Sequence, residues 1–264
     1  MSLLVKGRQN GREIVSVTPH SAGWNYVGFA AYRLGHNEQL DFDTGAREMC
    51  IVVLRGVVSV RADDVLWSEI GERYSVFDDL SPYSVYVPHD HAVSIVAHGD
   101  AEVAVCSAPG HGNLAARLIE PSGARRSVRG QGSNTRYVCD ILPQSAPADH
   151  LLVVEVITPG GHSSSYPPHK HDTDNIPDES FLEETYYHRI NPSQGFAFQR
   201  VYTDDRSLDE SMAVENHDVV MVPKGYHPVV VPHGYDSYYL NVMAGPKRSW
   251  HFKNDPAHDW LMPR

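Results

Sequence analysis

Short runs of apolar, β-branched and aromatic residues recur along this chain, each cut off by glycine, proline, asparagine or aspartate. In the first half they fall at 26–34, 50–54, 57–61, 84–87, 93–97 and 102–107. In the second half they fall at 151–158, 184–190, 196–202, 219–222, 228–231 and 238–243. Helical periodicity is almost absent. Many short strands with regular turn signals predict an antiparallel sandwich or barrel. A jelly-roll barrel suits this pattern because it leaves little strand edge exposed. The expected fold class is therefore all-β.

The pattern repeats. Val85-Tyr86-Val87-Pro88 followed by His98-Gly99 has a counterpart in Val220-Met221-Val222-Pro223 followed by His233-Gly234, 135 residues further on. That offset is about half of the 264 residues and favours two copies of one barrel. The division expected is a first barrel over 1–120 and a second over 121–264. The junction lies in the glycine-rich stretch 110–134, where Arg125, Arg126 and Arg129 read as solvated linker. Each half, at roughly 130 residues, is long enough to bury a core.

Charge and cysteine usage narrow the function classes. A formal net charge of −11 disfavours nucleic-acid binding. No run approaches the roughly 20 apolar residues of a membrane span, and the first ten residues contain no apolar signal-like segment. Cys50, Cys106 and Cys139 are odd in number and widely spaced, which suggests neither a disulfide framework nor a CxxC site. They read as reduced core residues in a cytoplasmic protein.

The chemistry concentrates in the second half. His169-Lys170-His171 places two imidazoles on one side of a strand, because side chains alternate with period two. Glu183-Glu184 supplies a carboxylate on the next strand, and Pro223-Lys224-Gly225-Tyr226-His227 brings a third imidazole. Three neutral imidazoles and one carboxylate suit a divalent transition metal with a position left open for substrate. The first half has no such set. Glu48 has no His-x-His before it, and Ala92 stands where the repeat would put His227. His89 and His91 read as exposed loop residues.

These residues resemble the two cupin motifs. Gly161, His169, His171, Glu184 and Gly195 match the first, and Pro223, Gly225 and His227 match the second. The spacer 172–183 is longer than usual, and its insert 172–179 is expected to form a loop over the barrel mouth. It leaves Glu183 and Glu184 as alternatives. Glu184 is preferred because it shares a face with Tyr186 and His188. The resemblance extends beyond the motifs. Residues 161–172, 183–189, 195–202 and 239–246 are similar to the 5-deoxy-glucuronate isomerase family of bacterial myo-inositol catabolism, itself related to the ketol-isomerase of pectin breakdown. The resemblance implies a bicupin that isomerises 5-deoxy-D-glucuronate to 5-dehydro-2-deoxy-D-gluconate.

The expected ligands are His169, His171, Glu184 and His227, holding Zn, Mn, Fe or Ni. Tyr186, His188 and Lys224 are candidates for positioning substrate or moving a proton. Arg200, Tyr202 and Lys224 are candidates for binding the sugar acid, since Arg and Lys recognise carboxylates. Phe196, Phe198 and Tyr202 have strand spacing and read as core, and the acids from Asp204 to Glu210 read as a solvated turn. Two other classes fit the ligand set. A cupin dioxygenase would use the same ligands on Fe(II) and consume oxygen. A non-catalytic sugar-acid binding protein would bind without turnover. The sequence leaves room for a homo-oligomer.

Overall fold

The computed structural model describes residues 2–262. The first half forms a six-stranded antiparallel sheet facing a four-stranded one. The larger sheet runs Arg117–Ile119, Ser84–Val87, Arg47–Arg55, Ala101–Pro109, Gly28–Leu34, Glu13–Val17. The smaller runs Gln39–Asp43, Ala92–Ala97, Val58–Ala62, Val65–Ile70. The second half repeats the plan. Its larger sheet is Leu4–Val5, Val219–Val222, Glu183–Asn191, Asp236–Ala244, Leu152–Thr158, Arg136–Leu142, Arg125–Arg129. Its smaller sheet is Ser163–Ser164, Val229–Val230, Phe196–Tyr202, Asp209–Glu215.

Two assignments differ from the sequence reading. Leu4–Val5 pairs with Val219–Val220, so the chain start completes the second barrel's sheet although it lies in the first half. Arg125–Arg129 is an edge strand paired with Arg136–Asp140, not linker. Its run of arginine and serine lacks an apolar face, and only the neighbouring strand's free backbone groups make it a strand.

The two large sheets pack back to back. Cys50, Val52, Leu54 and Cys106 from one meet Tyr187, Met221, Tyr238 and Leu240 from the other in a shared core. A second core fills the first barrel with Ile51, Val53, Val60, Val85 and their neighbours. A third lines the second barrel. Strands buried on both faces carry continuous apolar runs in place of alternation, which is why 50–54 and 219–222 stand out in the sequence.

Two buried carboxylates clasp the halves together. Glu48 accepts the backbone N–H groups of Asp149, His150 and Leu151 at 2.7, 2.7 and 2.6 Å. Glu183, its counterpart in the repeat, accepts those of Asn25, Tyr26 and Val27 at 2.8, 2.7 and 3.0 Å. Hydrogen bonds to a charged acceptor each contribute about 1.5–3 kcal/mol, so each carboxylate holds a loop of the opposite half. All three cysteines are buried free thiols. Among the described residues no helix is long and apolar enough to cross a membrane.

Candidate metal centre

Strand alternation decides what the second barrel contains. Along Glu183–Asn191, Thr185 and Tyr187 turn toward the other half, while Glu184, Tyr186 and His188 turn into the barrel. Tyr187 joins the shared core and Tyr186 the barrel core. This separates Glu183, the clasp, from Glu184, which points at the imidazoles.

His171, Glu184 and His227 present one donor atom each, all within 4.8 Å of one another. All three are buried, with His227 at 0% exposure. The Nε2 atoms of His171 and His227 approach the same carboxylate atom, Glu184 Oε2, at 3.0 and 3.3 Å. The other ring nitrogens are occupied by carbonyls. His171 Nδ1 lies 3.1 Å from Leu182 O, and His227 Nδ1 lies 2.8 Å from Gly225 O. Such backbone contacts fix the tautomer and aim Nε2 at the centre. Gly225 makes this turn feasible. It sits at φ +92°, and a Cβ there would lie 2.5 Å from Tyr202 O. Its N–H donates to Asp172 Oδ2 at 2.9 Å, which ties the ligand turn to the hairpin Asp172–Asn175/Glu179–Phe181 formed by the extra segment.

The donor set fits a cation. With Nδ1 donating, each neutral ring turns an Nε2 lone pair toward a carboxylate oxygen, so acceptors face acceptors. A proton on His171 relieves one contact, and its pKa is raised because the hydrogen bond and charge of Glu184 together outweigh the lowering by burial. His227 Nε2 still has no hydrogen-bond partner. Burial pushes the His227 pKa down to about 3, so a proton does not settle there. A divalent ion satisfies all three atoms at once.

His169 stands beside this cluster but outside it. Its ring centroid is 4.9 Å from that of His227 and 6.3 Å from that of His171. The C-terminal segment lies across it. His169–Lys170 pairs with Lys253–Asn254, and Phe252 sits 4.6 Å from the His169 ring.

Deeper in the barrel, the Tyr186 hydroxyl lies 2.9 Å from Ser165 Oγ and its ring 5.7 Å from His227. Burial, followed by the charge of Glu184, raises its pKa well above the ordinary range, so it stays a protonated donor. His188 Nε2 lies 2.9 Å from Gln199 Oε1, and Gln199 Nε2 donates to His227 O at 3.4 Å. Burial pushes the His188 pKa down to about 4 and keeps that ring neutral.

The basic and aromatic candidates lie elsewhere. Arg200 faces outward and forms a two-pronged pair with Asp209 at 2.7 and 2.6 Å. Lys224 is exposed on the turn before His227. Tyr202 is buried, but its hydroxyl donates to Asp255 at 2.9 Å and not into the centre. Phe198 is 49% exposed. The strand Phe196–Tyr202 has the opposite phase to the one expected: Ala197, Gln199 and Val201 face inward. Gln199, one residue from the basic candidate, is the polar group that reaches the site. Asp209 and Glu210, expected in a turn, begin the strand Asp209–Glu215, where Asp209 pairs with Tyr202.

Two antiparallel barrels packed back to back, one filled by an apolar core and one holding a buried imidazole–carboxylate cluster, define a bicupin with a single candidate metal centre among the described residues. The fold agrees with Bacillus subtilis oxalate decarboxylase at a TM-score of 0.62 and 12% identity, over 94% of this chain and 76% of that one. The chain belongs to the KduI/IolB family, whose model matches residues 3–261. It is 58% identical over 249 residues to the 5-deoxy-glucuronate isomerase of Geobacillus kaustophilus, covering 94% of this chain and 90% of that protein. It is 51% identical over 257 residues to the isomerase of the same name from Bacillus subtilis strain 168, covering 97% and 95%. An IolB-like protein from Salmonella typhimurium superposes with a TM-score of 0.97 at 52% identity, over 99% of both chains.

Proposed function

We propose that this chain is a 5-deoxy-glucuronate isomerase of inositol catabolism, an aldose–ketose isomerase that makes 5-dehydro-2-deoxy-D-gluconate from 5-deoxy-D-glucuronate. The observation that carries this reading is the end-to-end similarity to isomerases of that name, at 51–58% identity. The barrel interior supports it chemically. Moving a carbonyl between C1 and C2 places negative charge on two adjacent oxygens, and their stabilisation is the largest demand on the site.

His171, Glu184 and His227, with His169 from the rim, are the residues assigned to a divalent ion, Zn, Mn, Fe or Ni. When bound, such an ion supplies Lewis-acid polarisation of the substrate oxygens. Tyr186 holds its proton and can donate a hydrogen bond to a substrate oxygen, with Ser165 fixing the hydroxyl. His188 is kept neutral by burial and is held by Gln199, so it can position a substrate oxygen by hydrogen bonding. The hairpin at 172–181 and the C-terminal segment over His169 limit water at the reacting carbons. Three buried thiols fit a reducing cytoplasm.

The test is incubation of metal-analysed protein with 5-deoxy-D-glucuronate in deuterated water without air. Ketose product is expected. Deuterium on the hydroxymethyl carbon that was the substrate's C1 would assign proton transfer, and its absence hydride transfer. Lack of product under these conditions, or turnover only with oxygen, would overturn the reading.

A further inference from the structure

The two basic residues picked out near the barrel mouth face solvent, so a substrate carboxylate needs another partner. A cationic pair on the inward face of the second barrel fits. Arg136 opens the strand Arg136–Leu142, and Val138, two residues on, lies in the barrel core. Alternation therefore sends Arg136 to the interior side, while Tyr137 between them is 47% exposed. Arg129 is the direct cross-strand partner of Arg136, so it shares that face.

Two like charges directly opposite each other on a sheet are destabilising unless an anion joins them. Arg129 Nη2 already pairs with Asp140 Oδ1 at 3.4 Å, and its guanidinium lies 5.6 Å over the Trp250 ring. Arg136 has none within 4.0 Å among the described residues. Its Nη1 donates to Asn134 O and Asn134 Oδ1 at 3.0 and 3.1 Å. The other guanidinium donors of Arg136 have no protein acceptor among the described residues. Asn134 is itself fixed, because its Nδ2 donates to Tyr166 O at 2.8 Å, three residues before His169. A guanidinium anchored through one nitrogen and open at the others is arranged for two-pronged carboxylate recognition.

The pair adjoins the candidate centre. Trp250, under the Arg129 guanidinium, has its ring 6.3 Å from that of Phe252, which lies 4.6 Å from the His169 ring, and Val138 of the Arg136 strand shares the barrel core with Tyr186 and Tyr239. His169 in turn lies against His227.

We propose that Arg136, seconded by Arg129, binds the carboxylate of the sugar-acid substrate and so orients its carbonyl end toward His171, Glu184 and His227. The proposal rests on the isomerase reading and adds the residue that makes the site select an acid.

The test uses the metal-loaded full chain in two arms. In the kinetic arm, R136Q raises KM for 5-deoxy-D-glucuronate at least tenfold, with kcat within threefold and bound metal unchanged. R129Q raises KM twofold to fivefold. R136K, which keeps the charge but loses the fork, falls between wild type and R136Q, and it decides the matter if R136Q fails to fold. In the binding arm, calorimetry with D-glucuronate shows the same order of Kd and needs no turnover. Unchanged KM and Kd in R136Q and R136K, a loss confined to kcat, or no saturable binding of D-glucuronate to wild type would overturn the assignment. Failure of wild type to isomerise, with binding still dependent on Arg136, would remove the isomerase reading and leave the carboxylate site standing.

Discussion

The strands Arg47–Arg55 and Glu183–Asn191 occupy the same place in the two barrels, with Met49 opposite Val87 as Glu184 is opposite Val222. Their outer faces do the same work. Cys50, Val52 and Leu54 on one side and Tyr187 on the other fill the core between the sheets, and Glu48 and Glu183 each clasp a loop of the opposite half. Their inner faces diverge. Met49, Ile51 and Val53 hold the positions in the first barrel that Glu184, Tyr186 and His188 hold in the second, and the first has no buried imidazole like that of His227 among the described residues. The first interior is mostly apolar, and its burial contributes roughly 1.5–3 kcal/mol per large side chain. The second gives up that gain for buried polar groups, which must be satisfied by partners or ligands. One barrel is filled by apolar packing; the other holds the candidate centre.

The comparison breaks most sharply at paired positions. E184Q should abolish stoichiometric metal and lower kcat/KM by about a thousandfold or more, while M49A keeps both. Metal analysis and steady-state rates decide this, and retained metal in E184Q would dissolve the contrast. Next, Y186F should keep its metal and lose about a hundredfold in kcat, whereas I51V at the matching position leaves kcat unchanged.

The clasps should behave alike despite the different interiors. E48A and E183A each deprive three backbone N–H groups of their acceptor, one of them fully buried, and should cost about 3–5 kcal/mol in denaturant unfolding. E183A should retain its metal, which separates it from its neighbour Glu184.

A pH series sharpens the contrast further. His188, within the polar barrel, and His217, beside Tyr187, are both pushed down to about 4, primarily by burial. Histidine in the unfolded chain titrates near 6.5. Below that value the unfolded state binds protons that the native state refuses, so this stability is full above pH 6.5 and is lost as pH falls toward 4. H217Q should flatten part of that slope in unfolding curves taken from pH 7 to 4.5, and an unaltered slope would rule His217 out as a source. The smallest effects belong to R200A and K224A, which face solvent and should change kcat/KM by less than about twofold.

Much of this was legible in the chain itself. Apolar runs located most of the long strands, because a strand buried on both faces is apolar throughout. The 135-residue repeat announced two barrels. His-x-His, Glu184 and Pro-x-Gly-x-His named the residues around the candidate centre, because ligands need particular side chains at particular spacing. Strands with no apolar signature, such as Arg125–Arg129, were hidden, since partner strands create them.

What tertiary structure alone decided was orientation. Period-two alternation divides a strand into two faces but does not say which face turns inward when both are covered. That choice turned Gln199, not Arg200, into the second barrel, and gave Glu183, left over by the preference for Glu184, its task as a clasp on the opposite half. It also turned three apparent linker arginines into one edge strand, and set Arg129 opposite Arg136 in the sheet of the second barrel. Sequence fixes which functional groups exist and how far apart they lie along the chain. Where they converge depends on sheet register and on the packing of one half against the other, which no local pattern encodes.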